Sequence, residues 1–253
     1  MLTFVEVAEA RQAPGVRIAV SGLVPSPWSE AAKGLFRLAG VPVLAVRRLR
    51  DNAELEAWAG VDNVPVVFCD RAPARTHWAA ITELAARLAG PGVLLPSALA
   101  ARAEHIGLID LIAGEEGIGW NGRLAMLEAS FATDGARGFP LPVAKYLAAR
   151  YGYVRDGFAG VRARVAEQLA FIDERLGARE YVAGERPGAV DVYLATFLTP
   201  YTAIREADCP AMLPALRQAF AAAHEELGAL VPARLLEHRA RMFERHLAYP
   251  IVL

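Results

Sequence analysis

Apolar positions in the first part of the chain follow short alternating periods separated by helical ones. Val16, Ile18 and Val20 alternate with Arg17 and Ala19, which predicts a strand over 16–21. Trp28 to Ala39 follows a helical period, with Leu35, Phe36 and Leu38 as inward positions and Gly40 as its stop. Val41 to Val46 reads as a second strand. Asp51 to Trp58 reads as a short helix capped by Asp51. Val64 to Cys69 is a third strand, with Pro65 near its start, where proline is tolerated. Asp70 to Arg75 is a turn with a short strand, and Trp78 to Ala89 is a helix stopped at Gly90-Pro91-Gly92. Strands that alternate with helices in this way predict a small α/β unit.

Beyond the segment Pro91 to Ser97 the pattern is helical throughout. Leu99, Ala103, Ile106 and Ile109 form one stripe. A clearer one is Phe158, Val161, Val165, Leu169, Ile172 and Leu176, which leaves Arg162, Arg164, Glu167 and Glu174 outside. Asp191 to Ile204 and Leu235 to Leu247 are further helices. The change of pattern predicts an α/β domain over residues 1–92, with its core at 16–90, and an all-helical domain over 97–253.

Composition narrows the function classes. A chain that is 55% hydrophobic and 22% charged folds as a globular protein. A net charge of −1, from 27 basic and 28 acidic residues, gives no electrostatic case for nucleic acid or an anionic membrane surface. No apolar run reaches the roughly 18 residues of a membrane helix. Glu6 and Glu9 near the start, without a basic cluster, do not read as a signal peptide. Cys69 and Cys209 are far apart and form no redox or metal motif, and the five histidines have no metal-ligand spacing. These features predict a cytoplasmic protein with reduced thiols and no metal.

The junction between the first strand and the first predicted helix carries the candidate chemistry. Pro25-Ser26-Pro27-Trp28 places a hydroxyl at the positive end of a helix, where an anion such as a thiolate is stabilised. Lowering a thiol pKa by two units from about 8.5 takes about 2.7 kcal/mol of preference for the anion. A hydrogen bond to a charged acceptor supplies roughly 1.5–3 kcal/mol, and a helix terminus about 0.3–1. One hydroxyl therefore suffices without a general base. Ser26 is the candidate, and Ser29, one helical turn later, is the alternative hydroxyl. Capping of the helix by Ser26 is the competing structural role.

Three ordered motifs give the chain its resemblance. Pro25-Ser26-Pro27-Trp28, with Lys33 further along the helix, resembles the P-S-P-F start of tau-type glutathione transferases. It also resembles the C-P-F segment of the omega type, with Ser in place of Cys. Val64-Pro65-Val66-Val67 resembles the V-P-x-L of that family, whose proline is cis. Tyr181-Val182-Ala183-Gly184, followed by Pro187-Gly188-Ala189-Val190-Asp191, resembles the capped start of a central helix in the family's second domain. Residues 16–225 are covered by this resemblance.

The resemblance implies a thioredoxin-like domain followed by an all-helical domain. It implies glutathione as co-substrate, held by Trp28, Lys33, Val64, Pro65, Arg75, Thr76 and His77, with Ser26 contacting the thiolate. A small electrophile would lie in a pocket near Trp120, Asn121 and Arg123. A homodimer is the usual assembly. Two positions depart from the family pattern. His77 and Trp78 stand where relatives carry the Glu-Ser pair that grips the γ-glutamyl group, and Gly188 stands where a capping Ser or Thr is usual. The first departure supports an alternative, a transferase-fold binding or interaction protein without the γ-glutamyl grip. A reductase or lyase on the same fold is weaker, since neither position 26 nor 29 is Cys.

Overall fold

The computed structural model describes residues 2–49 and 52–253. A four-stranded sheet is built from β1 (Leu2–Phe4), β2 (Val16–Ser21), β3 (Val43–Arg48) and β4 (Val66–Cys69) in the order β1-β3-β2-β4. β3 pairs parallel with both β1 and β2, and β4 pairs antiparallel with β2. The sheet is buried on both faces. Ile18, Val20, Ala45 and Val67 join one core with α2 (Pro27–Leu38) and α4 (Trp78–Ala89). Ala19, Val46, Val66 and Phe68 join another with Val7 and Ala10 of α1 (Val7–Gln12) and Leu55 of α3 (Ala53–Ala59). Arg17 is buried with them, and its guanidinium donates to the carbonyls of Gly15 and Asp70 at 2.6 and 3.0 Å.

β1 and α1 are additions to the sequence-derived core, which began at residue 16. β3 starts two residues later than predicted because the N–H of Val41 closes the end of α2. Val41 donates to Phe36 O and Gly40 to Arg37 O, both at 3.0 Å, with Gly40 at φ +69°. The predicted cap Asp51 lies outside the described residues, and α3 begins at Ala53. The short strand expected near Arg75 is a single bridge, in which Val67 and Arg75 exchange backbone hydrogen bonds of 2.8 and 2.9 Å.

The rest of the described chain is helical: α5 (Leu99–Ala113), α6 (Ile118–Ala132), α7 (Leu141–Arg150), α8 (Val161–Leu176), α9 (Ala189–Phe197), α10 (Pro214–Leu227) and α11 (Ala233–Arg245). α9 is wholly buried at the centre and packs against α2, α5 and α11. The α8 stripe is as predicted, from Val161 to Leu176. The α5 stripe has the right period but a different phase. Leu99 is 83% exposed, and the buried face is His105, Leu108, Ile109 and Ile112. α9 ends at Phe197, short of the predicted Ile204, and passes into a 3₁₀ turn at Thr199–Tyr201, where Pro200 removes a backbone donor.

The start of α9 explains both Gly188 and Asp191. The Asp191 carboxylate accepts from the N–H groups of Val182, Ala183 and Gly188 at 2.6, 3.2 and 2.9 Å, and His238 Nε2 lies 2.9 Å away. Both side chains are fully buried. A Cβ on Gly188 would stand 2.9 Å from Ala183 Cβ and 3.0 Å from the carbonyl of Leu94. A capping Ser or Thr would crowd Ala183 and Leu94 there, and Asp191 supplies the other half of a capping box by accepting from the Gly188 N–H.

Candidate active site

Sheet, loops and helices converge on a cleft of about 360 Å³. Ser26 and Trp28 reach it from the start of α2, and Asn63, Val64 and Pro65 from the loop before β4. His77 and Trp78 come from the start of α4, Ala113 to Glu115 from the end of α5, and Trp120 from the first turn of α6. Arg150 and Tyr151 close it from the end of α7.

Ser26 is the N-cap residue of α2, with φ −62° and ψ 122°, yet its side chain makes no capping hydrogen bond. Its backbone does the local work. Its N–H donates to Val24 O at 2.7 Å, and its carbonyl accepts from Glu30 N at 2.8 Å. The hydroxyl is thus set at a helix N-terminus, on the cleft wall, without being used by the helix. Pro27 at N1 suits the helix start because its missing N–H leaves one donor fewer to satisfy. The Val64–Pro65 peptide is cis.

Aromatic rings form much of the remaining wall. Trp28 donates its indole N–H to Ala113 O at 3.1 Å, tying α2 to the end of α5. Its ring meets Phe197 edge-on at 4.8 Å and Tyr151 at 6.2 Å, and Tyr151 in turn lies 4.6 Å from Trp120. His77 is the N-cap of α4, where its Nδ1 accepts from Ala79 N at 3.2 Å. Trp78 is anchored by its carbonyl, which accepts from Thr82 Oγ1 and Tyr193 Oη at 2.8 and 3.2 Å. Burial pushes the Tyr193 phenol far up, so it stays a donor.

One charged bridge crosses between the two sides. Arg150 Nη1 lies 2.9 and 3.1 Å from the two oxygens of Asp62 and donates to Tyr146 Oη at 2.7 Å. Asp62 and Arg150 are 88 positions apart, so the bridge holds the loop leading into Val64 against the end of α7. The hydrogen bond from Arg150 and its charge hold the Asp62 carboxyl below its ordinary pKa.

The cleft therefore gathers Ser26, Trp28, Val64, Pro65, His77 and Trp120 from the sequence-derived candidates. The others lie elsewhere. Ser29 is fully buried, and its hydroxyl accepts from Ser21 N at 3.2 Å. Lys33 stands about two turns further along α2, where Glu30 at 2.7 Å and the carbonyl of Val252 at 2.6 Å take its ammonium. Arg75 turns to Pro73 O at 3.2 Å, and Thr76 is exposed beside it. Asn121 is buried, donating to Glu116 O at 2.6 Å and Gln168 at 3.3 Å. Arg123 is buried beneath the rings of Phe139 and Tyr151, 5.2 and 5.7 Å from their centroids. Asn63, Arg150 and Tyr151 are site residues that the sequence did not single out. Among the described residues no group of three or more His, Cys, Asp and Glu is placed to hold a metal ion, and no helix is long and apolar enough to cross a membrane.

Comparison with known proteins places this architecture. Residues 155–241 match the family profile of the glutathione S-transferase C-terminal domain. The fold is that of the glutathione transferases. A Pseudomonas putida glutathione transferase, solved with one glutathione disulfide per subunit, is 15% identical and superposes with a TM-score of 0.63 over 95% of each chain. A Methylobacterium radiotolerans glutathione S-transferase in complex with glutathione sulfonate is 18% identical, with a TM-score of 0.60 over 94% of this chain and 97% of that one. The theta-class enzyme of Xanthomonas axonopodis pv. citri, solved with glutathione bound, is 20% identical, with a TM-score of 0.58 over 92% and 94%. No match was found among curated protein sequences. The glutathione transferase fold thus spans both the sheet and the helices that build the cleft.

Proposed function

We propose that this protein is a glutathione-dependent transferase in which Ser26 stabilises the thiolate. The observation that carries the reading is the open cleft. It joins a hydroxyl unused by its own helix, and the Val64-Pro65 edge, to an aromatic wall from the helical region. Glutathione would lie along Val64-Pro65, in the manner of a peptide added to a sheet edge. Its thiol proton leaves to water, and the Ser26 hydroxyl donates to the sulfur anion at the positive end of α2. The thiolate then forms a bond to an electrophilic carbon held against Trp28, Trp120 and Tyr151, and the leaving group departs with its electron pair. The assembly that goes with this reading is a cytoplasmic homodimer.

His77 and Trp78 in the cleft wall favour a second reading, a transferase-fold binding protein without conjugation chemistry. One pair of measurements separates them. Calorimetric titration with millimolar glutathione should give a saturable heat, and a panel of small electrophiles should be conjugated at a rate that falls in Ser26→Ala. Binding without turnover on any electrophile would select the second reading. Absence of both heat and turnover would remove the transferase proposal.

A further inference from the structure

The Ser26 cleft adjoins a further chamber of about 250 Å³. The two meet along one pair of rings: Trp120 and Tyr151, with centroids 4.6 Å apart, line both, as does Glu115. Beyond that pair the chamber wall is Leu124 of α6 together with Tyr153, Val154 and Phe158. An apolar cavity of about 150 Å³ holds benzene, so this chamber has room for a substituted aromatic ring.

Its polar groups are few and differ in kind. The Tyr153 hydroxyl is committed to Glu128 at 2.5 Å. Arg164 stands outside the apolar stripe of α8, yet its Nε is closed off from solvent and has no hydrogen-bond partner among the described residues. A buried donor without an acceptor is costly, and a ligand that brings the acceptor removes that cost. Charge decides which acceptor fits. Glu115 and Glu116 are exposed in the same lining, so the chamber carries two acids against one base. An anionic group gains Arg164 but faces both carboxylates, whereas an uncharged carbonyl gains the donor without that repulsion.

We propose that this chamber sets the substrate class of the Ser26 cleft: an elongated, uncharged electrophile of two aryl units, its reacting carbon in the cleft and a carbonyl acceptor at its far end on Arg164. The inference rests on the transferase reading for its chemistry but not for its binding. Arg164 is then a specificity residue. It touches the end of the substrate remote from the reacting carbon, and so it acts on KM rather than kcat.

The probes are biphenylmethyl chloride and the same molecule with an acetyl group at the far para position, with benzyl chloride as the one-ring reference. In each, the glutathione sulfur bonds to the benzylic carbon and chloride leaves with its electron pair. The unreactive methyl counterparts of the two biphenyls read binding alone, by calorimetry. The acetyl group should tighten binding about tenfold and lower KM by as much, and a carboxylate in its place should bind more weakly than the acetyl. Arg164→Met should abolish the acetyl advantage and leave kcat and KM for benzyl chloride unchanged. Leu124→Trp and, at an exposed position, Val154→Trp should fill the chamber and weaken both biphenyls, again sparing benzyl chloride. An acetyl advantage that survives Arg164→Met, biphenyls indifferent to both tryptophans, or a carboxylate preferred to the acetyl would each overturn the proposal. The expected binding pattern without turnover of any chloride would overturn the transferase reading and keep the site. Turnover of benzyl chloride without that pattern would do the reverse.

Discussion

Two helix starts in this molecule treat their polar groups in opposite ways. At α9 the Asp191 carboxylate is fully committed. Asp191 accepts from three buried N–H groups and touches His238, and Gly188 makes the room. At α2 the N-cap residue Ser26 makes no side-chain cap at all, and its hydroxyl lines a cleft. A satisfied start fixes the fold, because a buried polar group without a partner is costly. A start with a free hydroxyl at its positive end contributes less to stability and keeps its chemistry available for a ligand. The same place in a helix thus carries structure in one case and candidate function in the other.

The comparison breaks most visibly at Asp191. Asp191→Ala strands three N–H groups and leaves His238 facing a void, and it should destabilise the fold by about 3–5 kcal/mol in urea denaturation. A loss under about 1 kcal/mol would mean that water or a shifted backbone satisfies those donors, and the contrast with α2 would vanish. Ser26→Ala should do the reverse. Because the side chain makes no cap, stability should change by less than about 0.5 kcal/mol, against about 1 for an ordinary cap. The pKa of bound glutathione thiol should rise by about 1–2 units, read from thiolate absorbance against pH. Turnover at pH 7 should fall about 3–25-fold, the loss of thiolate that follows when a pKa of about 6.5 rises by that much. A large stability loss with unchanged thiolate absorbance would return Ser26 to a capping role.

How much of this is legible in the sequence depends on how local each feature is. α4 is readable to the residue, since Gly90-Pro91 stops it and His77 precedes it, although the capping by the His77 ring is not. Ser26, Val64 and Pro65 stand out because each belongs to a short motif whose backbone is set by its neighbours. β1 escapes a pattern reading because three residues on a sheet edge carry no period, and α1 because only Val7 and Ala10 of its six are buried. Arg150 and Tyr151 reach the cleft from far along the chain, and Arg150 is recognisable only through Asp62, 88 positions away. Lys33 shows the converse difficulty. A lysine two turns beyond Ser26 is compatible with a ligand carboxylate, but Glu30 and the carbonyl of Val252 already take it.

Gly188 sharpens the comparison from the α9 side. By propensity, Gly188→Ser restores a favoured cap and stabilises. By geometry, its Cβ meets Ala183 at 2.9 Å and Leu94 O at 3.0 Å. The substitution should therefore destabilise by about 1–2 kcal/mol in thermal or urea unfolding. A stabilised Gly188→Ser would show that the loop at Leu94 yields, and that α9 tolerates the same chemistry as α2.

Asp208 gives the smallest effect and extends the principle from helix starts to a turn near the chain's end. Its carboxylate accepts from Arg205 N at 3.0 Å and from the Arg205 guanidinium at 2.7 and 3.0 Å, with Tyr249 Oη also donating. The hydrogen bonds from Arg205, helped by that phenol, hold its pKa down to about 2. A folded-state pKa below the unfolded one favours the folded state wherever the unfolded chain would be ionised. The contribution is therefore complete above the ordinary carboxyl pKa of about 4 and is lost as pH falls from there towards 2. Asp208→Asn should be less stable than the parent at pH 7, by a margin kept modest by the solvent around Arg205, and the two unfolding curves should converge as pH approaches 2. A gap that stays constant from pH 7 to 2 would mean that the amide variant loses packing or hydrogen bonds rather than charge, and that the network is held as the cap at α9 is, by satisfied donors.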